Sequence, residues 1–351
     1  MPEAKLPVGV LGATGVVGQR LLALLEHHPW FEPVWLSASD RSRGKRYADA
    51  APWRLATPLP ERFAGLPVSA ADPECCPARV VFASVDAKTA QELEPAFAAS
   101  GHCVITNSSA HRMRGDVPLV VPECNPEHLE LLTRQPSFAT HGGFIVTNPN
   151  CCTVGLVMAL APLQAAFGVE QVMVVTMQAV SGAGYPGVAS LDVLGNVIPY
   201  IANEEEKLEA EVQKILGRVG AAGIVPAPMT VSAQCNRVAV VDGHLEAVSV
   251  KLRTRASLEE VREALASFRG RPQQLGLPSA PPQPILVTTA PDRPQPRLDV
   301  EAGRGMAVTV GRLRPCPLLD YKFVVLSHNT LRGAAGAALL NAELLRAEGR
   351  L

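Results

Sequence analysis

The sequence predicts an α/β protein of two domains, a doubly wound parallel sheet followed by an α+β domain with a mixed sheet. Three observations carry this. The chain has 351 residues, enough for two domains at about 100–200 residues each. Short apolar runs alternate with helical patterns up to about residue 149, the mark of parallel strands joined by helices. Beyond that point the strands lengthen, and Leu245 to Leu252 alternates polar with apolar residues, as a sheet buried on one face requires.

Val8 to Leu11 is the first strand, and the helical pattern Gln19 to Leu25 follows a glycine-bearing turn. Pro33 to Leu36, Arg79 to Ala83 and Cys103 to Thr106 are the next strands. Thr153 to Val169 is broken by Pro162 and Gln164 and is shorter than the ~20 residues a spanning helix needs, so it reads as a core helix. Gln171 to Thr176 begins the second sheet. Arg271 to Arg297, rich in Pro and Gln without a clear period, reads as an irregular connection. The small residues Gly333 to Ala338 let the C-terminal helix approach other backbone closely, and residues 328–351 are expected to return to the first domain. The expected domains are therefore 1–149 with that helix, and 150–327.

Apolar residues make up 47% and charged residues 19%, and 32 Lys plus Arg face 33 Asp plus Glu. A charge so near balance, with no basic block, disfavours nucleic acid and anionic membranes and points to a small-molecule substrate. Met1-Pro2-Glu3-Ala4-Lys5 lacks the basic-then-apolar pattern of an export signal, so a cytoplasmic setting with eight reduced cysteines is expected. The adjacent pairs Cys75-Cys76 and Cys151-Cys152 lack zinc-site spacing, and no metal is expected.

Gly12, Gly15 and Gly18 stand where the first strand gives way to the first helix. Without side chains there, the backbone N–H groups of Gly12-Ala13-Thr14-Gly15-Val16-Val17-Gly18 and the helix dipole can meet a pyrophosphate; a purely structural turn is the alternative. The second strand ends in Ser37-Ala38-Ser39 rather than the acidic residue of NAD sites. Arg41, Ser42, Arg43 and Lys45 follow, suited to a 2′-phosphate, with Asp40 among them as a contrary sign. NADP is therefore expected over NAD.

Asn148-Pro149-Asn150-Cys151-Cys152-Thr153 lies between the strand-like Phe144-Ile145-Val146 and the apolar helix. A cysteine at a helix N-terminus is favoured as thiolate, although a buried inert cysteine fits the same position.

Seven stretches together resemble the aspartate-β-semialdehyde dehydrogenases, of the archaeal and fungal branch. These are Gly12 to Gly18, Ser108-Ser109-Ala110-His111-Arg112, Asn148-Pro149-Asn150-Cys151, Gln178 to Gly187, Glu204-Glu205-Glu206-Lys207, Cys235-Asn236-Arg237 with Asp242-Gly243-His244, and Ser327 to Gly336. The resemblance implies a Rossmann-type nucleotide domain and a catalytic and dimerisation domain. It also implies reduction of L-aspartyl 4-phosphate by NADPH to L-aspartate 4-semialdehyde and phosphate, toward lysine, threonine and methionine.

In that reading Cys151 is the nucleophile, His244 moves the protons and Gln178 orients the acyl group. Arg237 binds the α-carboxylate, Arg112 and Lys207 the phosphate, and Glu204 the amine. The three contiguous glutamates leave open which one faces inward, and Glu204 is chosen. Ser39, Arg41, Ser42, Ser84, Ser181, Gly182 and Asn329 join the glycine turn around NADP, with Arg332 a neighbour of its nicotinamide half. A homodimer or homotetramer is implied. Cys152 departs from the small hydroxyl residue common in the family, which leaves a disulfide with Cys151 or an alternate nucleophile open. An acyl-CoA reductase, such as one for malonyl-CoA, is the nearest rival, and a non-catalytic NADP sensor is the rival from another class.

Overall fold

Six parallel strands build the first sheet of the computed structural model, which describes residues 4–351. They are β1 (Leu6–Leu11), β2 (Phe31–Ser37), β3 (Val68–Ser69), β4 (Val80–Ala83), β5 (Cys103–Thr106) and β6 (Phe144–Thr147), ordered β3-β2-β1-β4-β5-β6. The order reverses between β1 and β4, where ligands bind in sheets of this kind. Every residue of β4, β5 and β6 is buried, which explains their continuous apolar runs. Met1 to Glu3, part of the segment read for an export signal, lie outside the described residues.

The chain divides into two compact units, residues 1–120, 127–148 and 338–351 in one and residues 121–126 and 149–337 in the other. The C-terminal return thus begins at residue 338 rather than 328. The last helix, Gly336–Ala347, is tied to the first unit by the buried His28–Glu343 pair at 2.9 Å.

The second unit carries β7 (Val169–Gln178), the small hairpin β8 (Arg218–Gly220) and β9 (Gly223–Val225), β10 (Thr230–Arg237), β11 (His244–Leu252), β12 (Ile285–Thr288), β13 (Val308–Pro315) and β14 (Tyr321–Ser327). Its main sheet is mixed, in the order β10-β7-β11-β14-β13-β12. β11 pairs antiparallel with both β7 and β14, while β10 runs parallel to β7 and β12 parallel to β13. The alternation in β11 buries His244, Glu246, Val248 and Val250 on one face, packed against the helix Cys151–Phe167. That helix is buried nearly all round, which its predominantly apolar sequence requires.

One expectation is corrected here. The Pro-rich stretch Arg271 to Arg297 is not wholly irregular, since β12 lies inside it at the edge of the sheet. An edge strand tolerates flanking prolines because one of its ladders has no partner.

Arg332 and Glu123, both in the second unit and fully buried, form a two-bond ion pair at 2.8 and 2.6 Å. Removing one partner of such a pair strands the other charge out of water. Arg332→Met is expected to cost about 3–5 kcal/mol. The double variant Arg332→Met with Glu123→Leu is expected to recover most of that loss, and thermal melts of the two variants measure it.

Candidate active site

In the first unit, β1 ends at Leu11 and the chain turns through Gly12, whose φ is +84°. A Cβ there would lie 2.4 Å from the Ser84 carbonyl oxygen, so only glycine brings this turn against the end of β4. Gly15 caps the helix Val16–Leu25, and Gly18 in its first turn packs on the backbone of Gly12 and Ala13. A cleft of about 770 Å³ opens beside this turn, lined by Gly12, Thr14, Gly15, Ser39, Asp40 and Ser84 among others. Glycine cradle, helix N-terminus and cleft together fit a dinucleotide. Arg41 and Ser42 follow Asp40 in a single helical turn, with Arg41, Arg43 and Lys45 exposed. Lys88 and Thr89, which the sequence reading did not single out, also line the cleft; they open the helix after β4 and belong to no motif.

Arg112 belongs to this unit as well, buried, with Nη2 donating to the Asn107 carbonyl at 2.6 Å. Glu94 lies beneath it, and burial pushes that carboxyl up to about 7 against the opposing pull of Thr106 and Arg112.

The second unit gathers the other chemical groups. Cys151 is the first residue of its helix, and the Asn150 side chain caps the helix by accepting from the Cys152 N–H at 2.8 Å. Asn150 reaches further through Nδ2 to Glu204 at 2.8 Å, and its own N–H donates to Glu211 at 2.6 Å. The Cys151 sulfur lies 3.1 Å from His244 Nε2. Helix dipole and imidazole therefore converge on one sulfur, the arrangement that favours thiolate.

His244 is held from behind. The Ala179 N–H donates to its Nδ1 at 3.1 Å, so Nδ1 is an acceptor and the neutral ring carries its proton on Nε2, facing the sulfur. Gln178 Nε2 donates to Glu204 at 3.2 Å, and Arg237 donates through Nη1 to the Ala179 carbonyl at 2.8 Å. Asn329 links Ser181 to the turn before His244, donating to Ser181 Oγ at 2.7 Å and accepting from the Gly243 N–H.

The three glutamates are now distinguished. Glu204 is buried against Asn150 and Gln178, Glu205 accepts from the Cys235 N–H, and Glu206 is exposed. Burial and the nearby Cys151 raise the Glu204 carboxyl, opposed by Asn150, Gln178 and Lys207. Lys207 follows Glu204 by three residues and is half-buried.

One open alternative is narrowed and one reading needs revision. Cys152 is fully buried and its thiol is pushed well above its ordinary value, first by burial, so it is placed as core rather than as a nucleophile. Neither it nor Cys151 is joined in a disulfide. Arg332, expected beside the nicotinamide, spends its guanidinium on Glu123 instead. Asn150, Glu211, Ala179 and Glu246 were missed as parts of the site. Asn150 and Ala179 stood in legible motifs, but Ala179 acts through its backbone, and Glu211 and Glu246 are brought in only by distant pairing.

Profiles of two semialdehyde dehydrogenase domains match the chain. The NAD binding domain covers residues 7–132 and the dimerisation domain residues 160–332. An aspartate-semialdehyde dehydrogenase of Methanothermobacter thermautotrophicus is 48% identical over 96% of this chain and 98% of its own length. The chain belongs to the aspartate-semialdehyde dehydrogenase family. A crystal structure of the Candida albicans aspartate semialdehyde dehydrogenase with NADP superposes with a TM-score of 0.92 at 45% identity, covering 98% of this chain and 99% of that one. A Vibrio cholerae aspartate semialdehyde dehydrogenase II, solved with ASA, gives a TM-score of 0.76 at 30% identity over 98% and 99%. Among the described residues no group of His, Cys, Asp and Glu could hold a metal ion, and no helix is long and apolar enough to cross a membrane.

Gly182 packs where the imidazole and guanidinium meet. A Cβ there would lie 2.9 Å from His244 Cε1 and 3.0 Å from Arg237 Nη1. Gly182→Ala is expected to push His244 off the sulfur and lower kcat/KM by about 10²-fold, with little change in melting temperature. Steady-state kinetics beside a thermal melt check both halves of this expectation.

Proposed function

We propose that this chain uses NADPH to reduce L-aspartyl 4-phosphate to L-aspartate 4-semialdehyde and phosphate, through a thioester on Cys151. The observation that carries the reading is the 3.1 Å approach of the Cys151 sulfur to His244 Nε2 at a capped helix N-terminus. Hydride addition to a free carboxylate is prohibitive, whereas an acyl phosphate can first be exchanged for a thioester.

The Cys151 thiolate attacks the acyl carbon, a C–S bond forms, the C–O bond to phosphate breaks, and phosphate leaves with the electron pair. His244, with Nδ1 occupied by Ala179, presents Nε2–H first to the sulfur and then to the oxygen that gains charge on the reacting carbon. NADPH, when bound, supplies the hydride that reduces the thioester carbon. Collapse of the resulting thiohemiacetal breaks the C–S bond, releases the aldehyde and restores the thiolate.

Arg237, anchored through Nη1, takes the substrate α-carboxylate with its planar fork. Glu204 takes the α-amine, Gln178 orients the acyl group, and Lys207 and Arg112 bind phosphate. The glycine turn Gly12 to Gly18 with Ser39 and Ser84 holds the dinucleotide, and Ser181, Gly182 and Asn329 serve its nicotinamide half. The exposed Arg41, Arg43 and Lys45, with half-buried Ser42, favour a 2′-phosphate, in keeping with the NADP held by the Candida albicans enzyme. Homodimers or pairs of dimers are the expected assembly, supported by the family's description of residues 160–332 as a dimerisation domain. A reducing cytoplasm suits a mechanism that needs a free thiol.

The test is the reverse reaction, with NADPH absorbance followed in the presence of aspartate semialdehyde, phosphate and NADP. Cys151→Ser is expected to lose roughly 10³-fold or more of kcat. Cys152→Ser is expected to keep activity within about tenfold and to show its cost as lowered stability, because it buries a hydroxyl in the core. Activity that needs malonyl-CoA rather than the phosphate substrates, or that survives Cys151→Ser, overturns the reading.

A further inference from the structure

Glu246 is completely buried, and neither of its carboxyl oxygens has a hydrogen-bond partner. It follows His244 by two residues on β11 and so projects from the same face, one row deeper. The upper row holds Arg237, Gln178, His244 and Ser327. Below it, Cys235 and Thr176 stand opposite each other, and Glu246 lies between Thr176 and Val325.

The helix that begins at Cys151 packs on these rows. Gly155, one turn beyond Cys151 on the same side of that helix, sits over the carboxyl. A Cβ at residue 155 would lie 2.6 Å from Ser327 Oγ and 3.3 Å from Glu246 Oε1. The carboxyl therefore lies against the helix face that carries the sulfur, about one turn below it.

Two acids this close cannot both be charged out of water. The sulfur has a helix N-terminus and the His244 Nε2–H to steady its charge, whereas Glu246 has no donor at all. Glu204, the other buried carboxyl near the sulfur, is set apart by its bonds from Asn150 and Gln178 and by Lys207. Burial, reinforced by Cys151, drives the Glu246 carboxyl far above the usual carboxylate range. The titratable groups around it are Cys151 and Cys152 on the helix, His244 on its own strand, Cys235 on β10 and Glu204 on the helix Glu204–Ile215; β7 contributes Thr176 and, in the row above, Gln178, and β14 contributes Ser327, as polar neighbours.

We propose that Glu246 is a positioning residue for the nucleophile, sharing one negative charge with Cys151 and keeping the proton whenever the sulfur is a thiolate. The exchange is balanced. In the thiol form with an ionised carboxyl, the S–H proton moves to a Glu246 oxygen, leaving a thiolate and a neutral acid with the net charge unchanged. The better-solvated partner takes the charge, so the neutral acid is the resting form. This rests on the reading of Cys151 as the nucleophile.

Infrared spectroscopy of the full-length protein tests it. A protonated-carboxyl C=O band is expected at pH 7 in the difference between the native protein and Glu246→Gln, apart from the signal that Glu94 gives in both. Alkylating Cys151 with iodoacetamide, or replacing it in Cys151→Ser, removes the thiolate, and the band is then expected to disappear at a pH lower by about one unit or more. Absence of the band at pH 7, or a titration that ignores alkylation, overturns the proposal. Should the Gln variant fail to fold, the alkylation and Cys151→Ser arms read the coupling without it. Should Cys151→Ser stay active, the nucleophile assignment fails, while the band still reports whether the two groups share a charge.

Discussion

The second unit is organised around the contact between the Cys151 sulfur and His244 Nε2. Its geometry depends on two elements meeting end to end, since Cys151 opens its helix and His244 opens β11. Neither position tolerates slippage. A one-residue shift of β11 against β7 would turn His244 and Glu246 to the opposite face and replace them with Leu245 and Ala247. The register is pinned by pairing with β7 on one side and β14 on the other, so the imidazole is placed by a whole sheet rather than by its own loop.

Asn150 secures the other half. Its oxygen caps the helix, its amide donates to Glu204, and its backbone N–H donates to Glu211, so one side chain joins the nucleophile helix to the helix Glu204–Ile215. A cap alone is worth about 1 kcal/mol, but here it also decides where a carboxylate sits relative to the sulfur. Three buried carboxyls surround this helix start. Glu204 and Glu211 accept hydrogen bonds and Glu246 accepts none, so otherwise identical groups sit in unlike surroundings.

Much of this was legible in the chain. The glycine turn, the strand-helix alternation of the first unit and the long alternating strands of the second each carry a local signal, and the structure contains all three. Strand β12 was not legible because its four residues sit among prolines and gain their identity only by pairing with β13. Arg332 was misread for a related reason. Its place in the C-terminal motif suggested a ligand contact, but its partner Glu123 is 209 residues away, and no periodicity reveals a pair so distant. The tautomer of His244 was hidden as well, since it is set by a backbone N–H.

Gly155 shows how an apparently bland residue can report a buried polar group. Glycine inside a helix costs roughly 1 kcal/mol relative to alanine, and this helix is otherwise built of strongly apolar side chains. Packing against an apolar strand would favour alanine there. The space a methyl group would take is instead bounded by a serine hydroxyl and a carboxyl oxygen, both without hydrogen-bond partners and both buried. Unsatisfied polar atoms in a core are costly, each by about 1–3 kcal/mol. A fold that retains two of them one helical turn from its nucleophile carries a cost that stability does not explain, and the chemistry of the sulfur is the explanation the geometry offers.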